Sequence, residues 1–172
     1  LEALRFANAK DGLEIGARHI TVSTCGIIQG IERLANEPEQ FTLAVSLHSA
    51  LQDVRNEIMP RCSSIPLPHL KKALRSYIEK TGRRVSFEYL LIKGITDTEE
   101  NLAALIDFCD GLLCHVNLLS VNEVEGSPYK PSSTATQQHW VKELKSAGKE
   151  ATIRNSRGSD IDGACGQLKN KM

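Results

Sequence analysis

The chain has no C-x-x-C pair, no apolar run of membrane length, no surplus of charge and few aromatic side chains. Each lack excludes something. The five cysteines, Cys25, Cys62, Cys109, Cys114 and Cys165, are odd in number and not spaced in pairs. That disfavours a disulfide framework and an ordinary zinc ribbon. Cys109 and Cys114 read as the end of a helix and the start of a strand rather than as metal ligands. Lys and Arg together number 21, and so do Asp and Glu, so the formal net charge is zero. Any contact with nucleic acid must then come from local patches. Lys71, Lys72, Arg75, Arg83 and Arg84 cluster in sequence, as do Lys142, Lys145 and Lys149; such runs read first as solvated helix faces. One tryptophan and three tyrosines leave no evident platform for stacking a single strand. With neither a signal-peptide pattern nor a membrane-length run, a reducing cytoplasm and no membrane contact are expected.

What is present is a domain-sized chain of 172 residues, 41% hydrophobic and 24% charged. That composition suits a packed core. Short runs rich in Val, Ile, Thr, Phe and Tyr predict strands over 18–22, 42–46, 85–91, 115–119 and 151–153. Helical spacing predicts helices over 27–36, 67–80, 98–109 and 134–147. Pro66 and Pro68 mark the start of the second helix, and Gly82 lies just past its end. Thr98 suits the N-terminus of the third, and Gly148 the C-cap of the fourth. Such alternation implies a mostly parallel sheet covered by helices. Five strands cannot close a barrel, so either upstream strands are missing or the sheet is open.

Polar residues gather where the strands end: Ser23 and Thr24, Ser46 and His48, Asn122, and Arg154, with Glu88 inside the third strand. In barrels and open α/β sheets the C-terminal strand ends converge on one face. Ser23 also suits a helix cap, Asn122 a plain turn, and His48 a satisfied buried histidine. Glu88 suits an ion pair with Arg84 or with a helix cation. Near the C-terminus, Cys165 lies in Gly158-Ser159-Asp160-Ile161-Asp162-Gly163-Ala164-Cys165-Gly166-Gln167-Leu168. Small residues around a thiol allow large partners to approach, and the thiolate is a strong nucleophile. Its ordinary pKa is about 8.5, so a cation such as Arg154 or Arg157 would assist ionisation.

These stretches resemble the C-terminal half of the radical S-adenosylmethionine (SAM) rRNA adenine methyltransferases of the RlmN/Cfr type. The matching runs are Thr21-Val22-Ser23-Thr24-Cys25-Gly26-Ile27-Ile28, Leu43-Ala44-Val45-Ser46-Leu47-His48-Ser49, Ile58-Met59-Pro60, Gly82-Arg83-Arg84-Val85-Ser86-Phe87-Glu88-Tyr89, His115-Val116-Asn117-Leu118 and the run from Asp160 to Leu168. The resemblance implies an α/β partial (β/α) barrel, here roughly its last five βα units with parallel strands. It implies residues 1–172 as a single domain, with the cluster-binding and N-terminal RNA-binding parts lying upstream. It further implies methylation of an adenine in 23S rRNA, with tRNA as a second substrate, through a methylated cysteine at Cys165. The cofactors implied are S-adenosyl-L-methionine and a 4Fe-4S cluster, and the electron donor a flavodoxin or ferredoxin. Ser23, Ser46, Leu47, His48 and Asn122 match the family's SAM-contacting positions.

The chain departs from the family pattern in places. The C-x3-C-x2-C run that holds the cluster is absent, so no metal ligand is expected here and the chain alone is expected to be inactive. Gly163 replaces an alanine, Arg61-Cys62 replaces Ile-Asn, and Ser120-Val121-Asn122-Glu123-Val124 replaces Pro-aromatic-Asn-Pro. Three alternatives stay open. One is a non-catalytic SAM- or RNA-binding half-barrel. Another is a diverged radical SAM paralogue with another substrate. The third is an unrelated enzyme whose cysteine nucleophile is served by His48 or His115.

Overall fold

The computed structural model describes residues 1–122 and 127–154. The element order is α1 (Glu2–Asn8), β1 (Thr21–Thr24), α2 (Ile28–Leu34), β2 (Thr42–Ser46), α3 (Gln52–Ile58), α4 (Leu67–Thr81), β3 (Val85–Leu91), α5 (Glu99–Cys109), β4 (Cys114–Ser120), α6 (Thr134–Ser146) and β5 (Glu150–Arg154). Short 3-10 turns cover Ala17–His19 and Pro60–Cys62. The first of these displaces β1 from the expected 18–22 to Thr21–Thr24, since a residue in a tight turn cannot also extend. Helices α1 and α3 were not expected. Helix α3 buries only Arg55, so its sequence carries no apolar stripe to read.

Among the described residues the sheet has five parallel strands in the order β1-β2-β3-β4-β5. Consecutive parallel strands require crossovers, and α2, α4, α5 and α6 supply them with the helix ends that the sequence indicated. Helix α4 follows Pro66 and stops at Gly82, which is left-handed at φ 63°. The Thr98 side chain accepts the Asn101 N–H at the start of α5. Helix α6 closes with Gly148 N–H on Lys145 O at 2.9 Å and Lys149 N–H on Leu144 O at 2.8 Å. That pair of bonds, with Gly148 at φ 72°, is a Schellman motif.

The two faces of the sheet differ. Strands β3 and β4 alternate buried and half-buried residues. Val85, Phe87, Tyr89 and Leu91 join Val116 and Leu118 in one core with Leu70 and Leu74 of α4, Leu105 and Phe108 of α5, and Trp140 of α6. The alternate positions, Ser86, Glu88, His115 and Asn117, are polar and half-buried, and none belongs to that core. A parallel sheet covered by helices on both faces reads as continuous apolar runs. Here period-two alternation marks a sheet covered on one face, with the second face forming the polar inner wall of a partial barrel.

Candidate functional site

The register places the polar face in rows. Ser46, Glu88, Asn117 and Thr152 are successive partners across β2, β3, β4 and β5. One row nearer the strand starts stand Ser23, Ala44, Ser86, His115 and Glu150. Hydrogen bonds link several of these residues. Asn117 Nδ2 donates to Glu88 Oε1 at 2.8 Å. Thr152 Oγ1 donates to Asn117 Oδ1 at 3.1 Å, and His115 Nε2 lies 2.9 Å from the same hydroxyl. Arg154 NH1 stands 3.6 Å from Glu88 Oε2. The cation that Glu88 meets is thus Arg154 on β5, rather than Arg84 or a helix cation, the two partners that the sequence suggested. Burial, reinforced by the positive charge of Arg84, lowers the His115 pKa below its ordinary value.

The expected SAM-binding residues lie at the C-terminal ends of the strands. Ser23 is exposed and sits one residue before the end of β1. It caps no helix: the N-cap of α2 is Ile27, without a side-chain cap bond. Thr24 Oγ1 instead accepts the N–H groups of Gly26 and Ile27 at 3.1 and 3.2 Å, in the turn before α2. Ser46 ends β2. Within the described residues neither the Ser23 nor the Ser46 hydroxyl makes a hydrogen bond. Leu47 is fully buried. Asn122 is half-buried, two residues beyond β4. Cys165 lies outside the described residues, as do Arg157, Gly163, Glu123 and Val124.

His48 bends the chain. Its φ is 57°, in the left-handed region that non-glycine residues enter infrequently. The bend lets Leu47 N–H and His48 N–H share one acceptor, the Glu88 carbonyl, at 3.0 and 3.2 Å. It also brings His48 Nδ1 to the Leu90 N–H at 3.2 Å. The imidazole thus replaces the next backbone acceptor of the ladder. An accepting Nδ1 carries no proton, and burial with nearby Arg55 pushes the imidazole pKa down to about 4. His48 is the buried, neutral histidine that the sequence allowed, its Nδ1 satisfied by Leu90.

Two supports of this edge were not legible in the sequence. Arg55 is fully buried and donates to Cys25 O at 2.6 Å and to Cys62 O at 3.3 Å. It pins the turn after β1 to the Pro60–Cys62 turn. Burial first, and then the neighbouring Cys25 thiol, push the Cys62 thiol above its ordinary pKa. Asn101 joins the loops after β2 and β3. It takes Ser49 Oγ–H at 2.9 Å and Tyr89 O–H at 3.3 Å, and donates to Ile95 O at 3.0 Å. In the sequence Arg55 stands between Val54 and Asn56 on a short, mostly polar helix, which reads as a surface position.

One lysine of each basic cluster ties elements together. Lys71 Nζ donates to Asp107 O at 2.9 Å, and Lys149 pairs with Asp110 at 3.2 Å. Cys109 ends α5 and Cys114 starts β4, as expected. Among the described residues no group of three or more His, Cys, Asp or Glu could hold a metal ion. No helix of the described residues is long and apolar enough to cross a membrane.

No family model matches the chain. The chain is 44% identical, over 169 residues and 98% of its length, to a protein of Clostridium perfringens named "Probable dual-specificity RNA methyltransferase RlmN". It spans about half, 49%, of that relative's length. A radical SAM methyltransferase from Sphaerobacter thermophilus superposes with a TM-score of 0.91 at 43% identity, over 95% of this chain and 48% of that one. A domain of pyruvate-formate lyase-activating enzyme from Bacteroides vulgatus shares the fold, with a TM-score of 0.61 at 19% identity, over 78% of this chain and 80% of that one. Sequence and partial-barrel fold together place this chain in the RlmN family of radical SAM methyltransferases, matching the C-terminal half of its members.

Proposed function

We propose that this chain is the C-terminal catalytic portion of an RNA methyltransferase, with Cys165 as the methyl carrier and adenine in 23S rRNA, or in tRNA, as the substrate. The observation that supports it best is the arrangement at the strand ends. Ser23, Ser46, His48 and Asn122 stand at the C-terminal edge of a polar face whose residues, among those described, lie outside the helix-covered core. A zwitterionic cofactor needs hydroxyls, amides and a neutral ring donor of this kind.

The residues present fit SAM. Among the described residues the Ser23 and Ser46 hydroxyls are uncommitted, and His48 would offer Nε2 while Nδ1 is held by Leu90. The Leu47 and His48 N–H groups are already used on Glu88 O, so that segment contributes side chains and carbonyls. SAM, when bound, supplies the methyl group and the radical chemistry of its class. The described residues do not fit a 4Fe-4S cluster. Its ligands, the RNA-binding domain and the flavodoxin or ferredoxin contact are assigned to the remainder of a longer protein, working in the cytoplasm. Cys165 then serves as the nucleophile that accepts the methyl group; its thiolate is the reactive form.

The test is the mass of the Cys165 peptide from full-length protein purified out of cells that make SAM. A gain of one methyl group on Cys165 is the expected outcome. An unmodified thiol in protein that binds SAM would overturn the role of Cys165, and unimpaired RNA methylation by Cys165→Ala would do the same.

A further inference from the structure

Among the described residues, the polar face holds one buried carboxylate oxygen without a hydrogen-bond donor. Glu88 Oε2 is buried and makes no hydrogen bond, while Oε1 takes the Asn117 amide at 2.8 Å. Arg154 NH1, 3.6 Å away, forms an ion pair but stands beyond hydrogen-bond length. A buried carboxylate oxygen left in this way is costly, and native folds keep few such groups without a reason. The rest of the row cannot relieve it. The Asn117 amide oxygen is taken by Thr152, and the Thr152 hydroxyl lies against His115. Among the described residues these bonds leave Glu88 Oε2 as the buried acceptor still open. The Arg154 side chain is 66% exposed against 15% for Glu88, so the guanidinium can yield its place with little loss of packing. Glu88 is also the register partner of Ser46, which puts the carboxylate one strand away from the expected SAM-binding segment, about 4.8 Å across the sheet.

Resting on the function proposed above, we infer that Glu88 is a binding residue whose Oε2 accepts a hydrogen bond from an adenosine group held against the polar face. Adenosine carries suitable donors in its ribose hydroxyls and its amino group, and acidic side chains bind ribose hydroxyls in other nucleotide sites. Two molecules bring an adenosine here: SAM and the RNA substrate.

Glu88→Gln separates the sources. Glutamine keeps the shape and an oxygen for Asn117, but sets an NH2 group where the acceptor was. In full-length protein, SAM affinity is measured by calorimetry, and affinity for an adenine-containing RNA oligonucleotide by fluorescence anisotropy. One Kd is expected to rise about tenfold or more, as for loss of a hydrogen bond to a charged group, while the other stays within about twofold. A rise for SAM assigns the contact to the cofactor, and a rise for RNA assigns it to the substrate. Both Kd values unchanged would overturn the inference and leave the functional reading standing. Wild-type protein binding neither probe would overturn both. If the variant does not fold, the wild-type protein is tested with adenosine competitors that each lack one donor: the 2′-deoxy, 3′-deoxy and desamino forms. Equal affinity for all would overturn the inference, and a loss of about fivefold or more for one identifies the bonded group.

Discussion

Single residues at the strand ends carry unusual burdens. His48 is held neutral in the fold, with its pKa lowered from 6.5 to about 4 by burial and by Arg55. Between these values the unfolded chain binds a proton that the folded imidazole refuses. Stability is therefore full above about pH 6.5, falls as the pH falls through the window, and levels off below about pH 4. The loss from His48 between about pH 7 and about pH 5 is roughly 2 kcal/mol. His48→Asn keeps an acceptor, tolerates φ 57° and does not titrate, so urea unfolding at the two pH values should show a smaller pH dependence in that variant. Arg55 carries a different burden. Arg55→Ala leaves the Cys25 and Cys62 carbonyls without their donor and opens a cavity in a fully buried site. A destabilisation of about 3 kcal/mol or more is expected in chemical denaturation. Arg55→Lys should recover only part of it, since a point charge cannot span both carbonyls as the guanidinium fork does.

At the scale of elements, the loops that carry the candidate site are braced from beneath. Asn101, on the first turn of α5, bonds to the loop after β2 through Ser49 and to β3 and its following loop through Tyr89 and Ile95. Thr96 extends the brace, donating to Leu90 O and accepting Ile92 N–H at 2.8 Å. Asn101→Ala is expected to cost about 2–4 kcal/mol, because several buried polar groups lose partners together. SAM affinity should fall with it, since the His48 bend follows from the same loop; thermal melting and calorimetry measure the two effects. The turn after β1 is equally constrained. Gly26 has φ 101°, and a Cβ there would lie 3.2 Å from both methyl carbons of Leu70. Gly26→Ala should lower stability by about 1–3 kcal/mol, read as a shift in the denaturation midpoint with little change in its slope.

For the whole molecule, the core is one-sided and centred on β3 and β4. Both strands have neighbours on each side, and Val85, Phe87, Tyr89, Leu91 and Val116 are fully buried. Strand β1 has four residues and none of them is buried, while α1 buries nothing. Native-state hydrogen exchange should therefore rank β3 and β4 amides slowest and those of β1 and α1 fastest. Exchange as fast in β3 as in β1 would contradict the one-sided core.

Much of this was already set by local sequence. Apolar runs placed β2 and β3 correctly, and Pro66, Gly82, Thr98 and Gly148 marked helix ends because capping and left-handed turns depend on a few neighbouring residues. The runs around Ser23, Ser46 and Asp160 to Leu168 carried the family, since motif residues are contiguous in the chain. Tertiary structure alone decided the rest. Glu88 meets Arg154 rather than Arg84 because the register brings β3 within reach of β5 through β4, across 66 positions of chain. Arg55 became a core residue because two separate turns present carbonyls to it. The polar wall of Ser46, Glu88, Asn117 and Thr152 exists only once four strands align. Local propensity is a property of neighbours in sequence, whereas a row across a sheet is made by closing loops that no local pattern records.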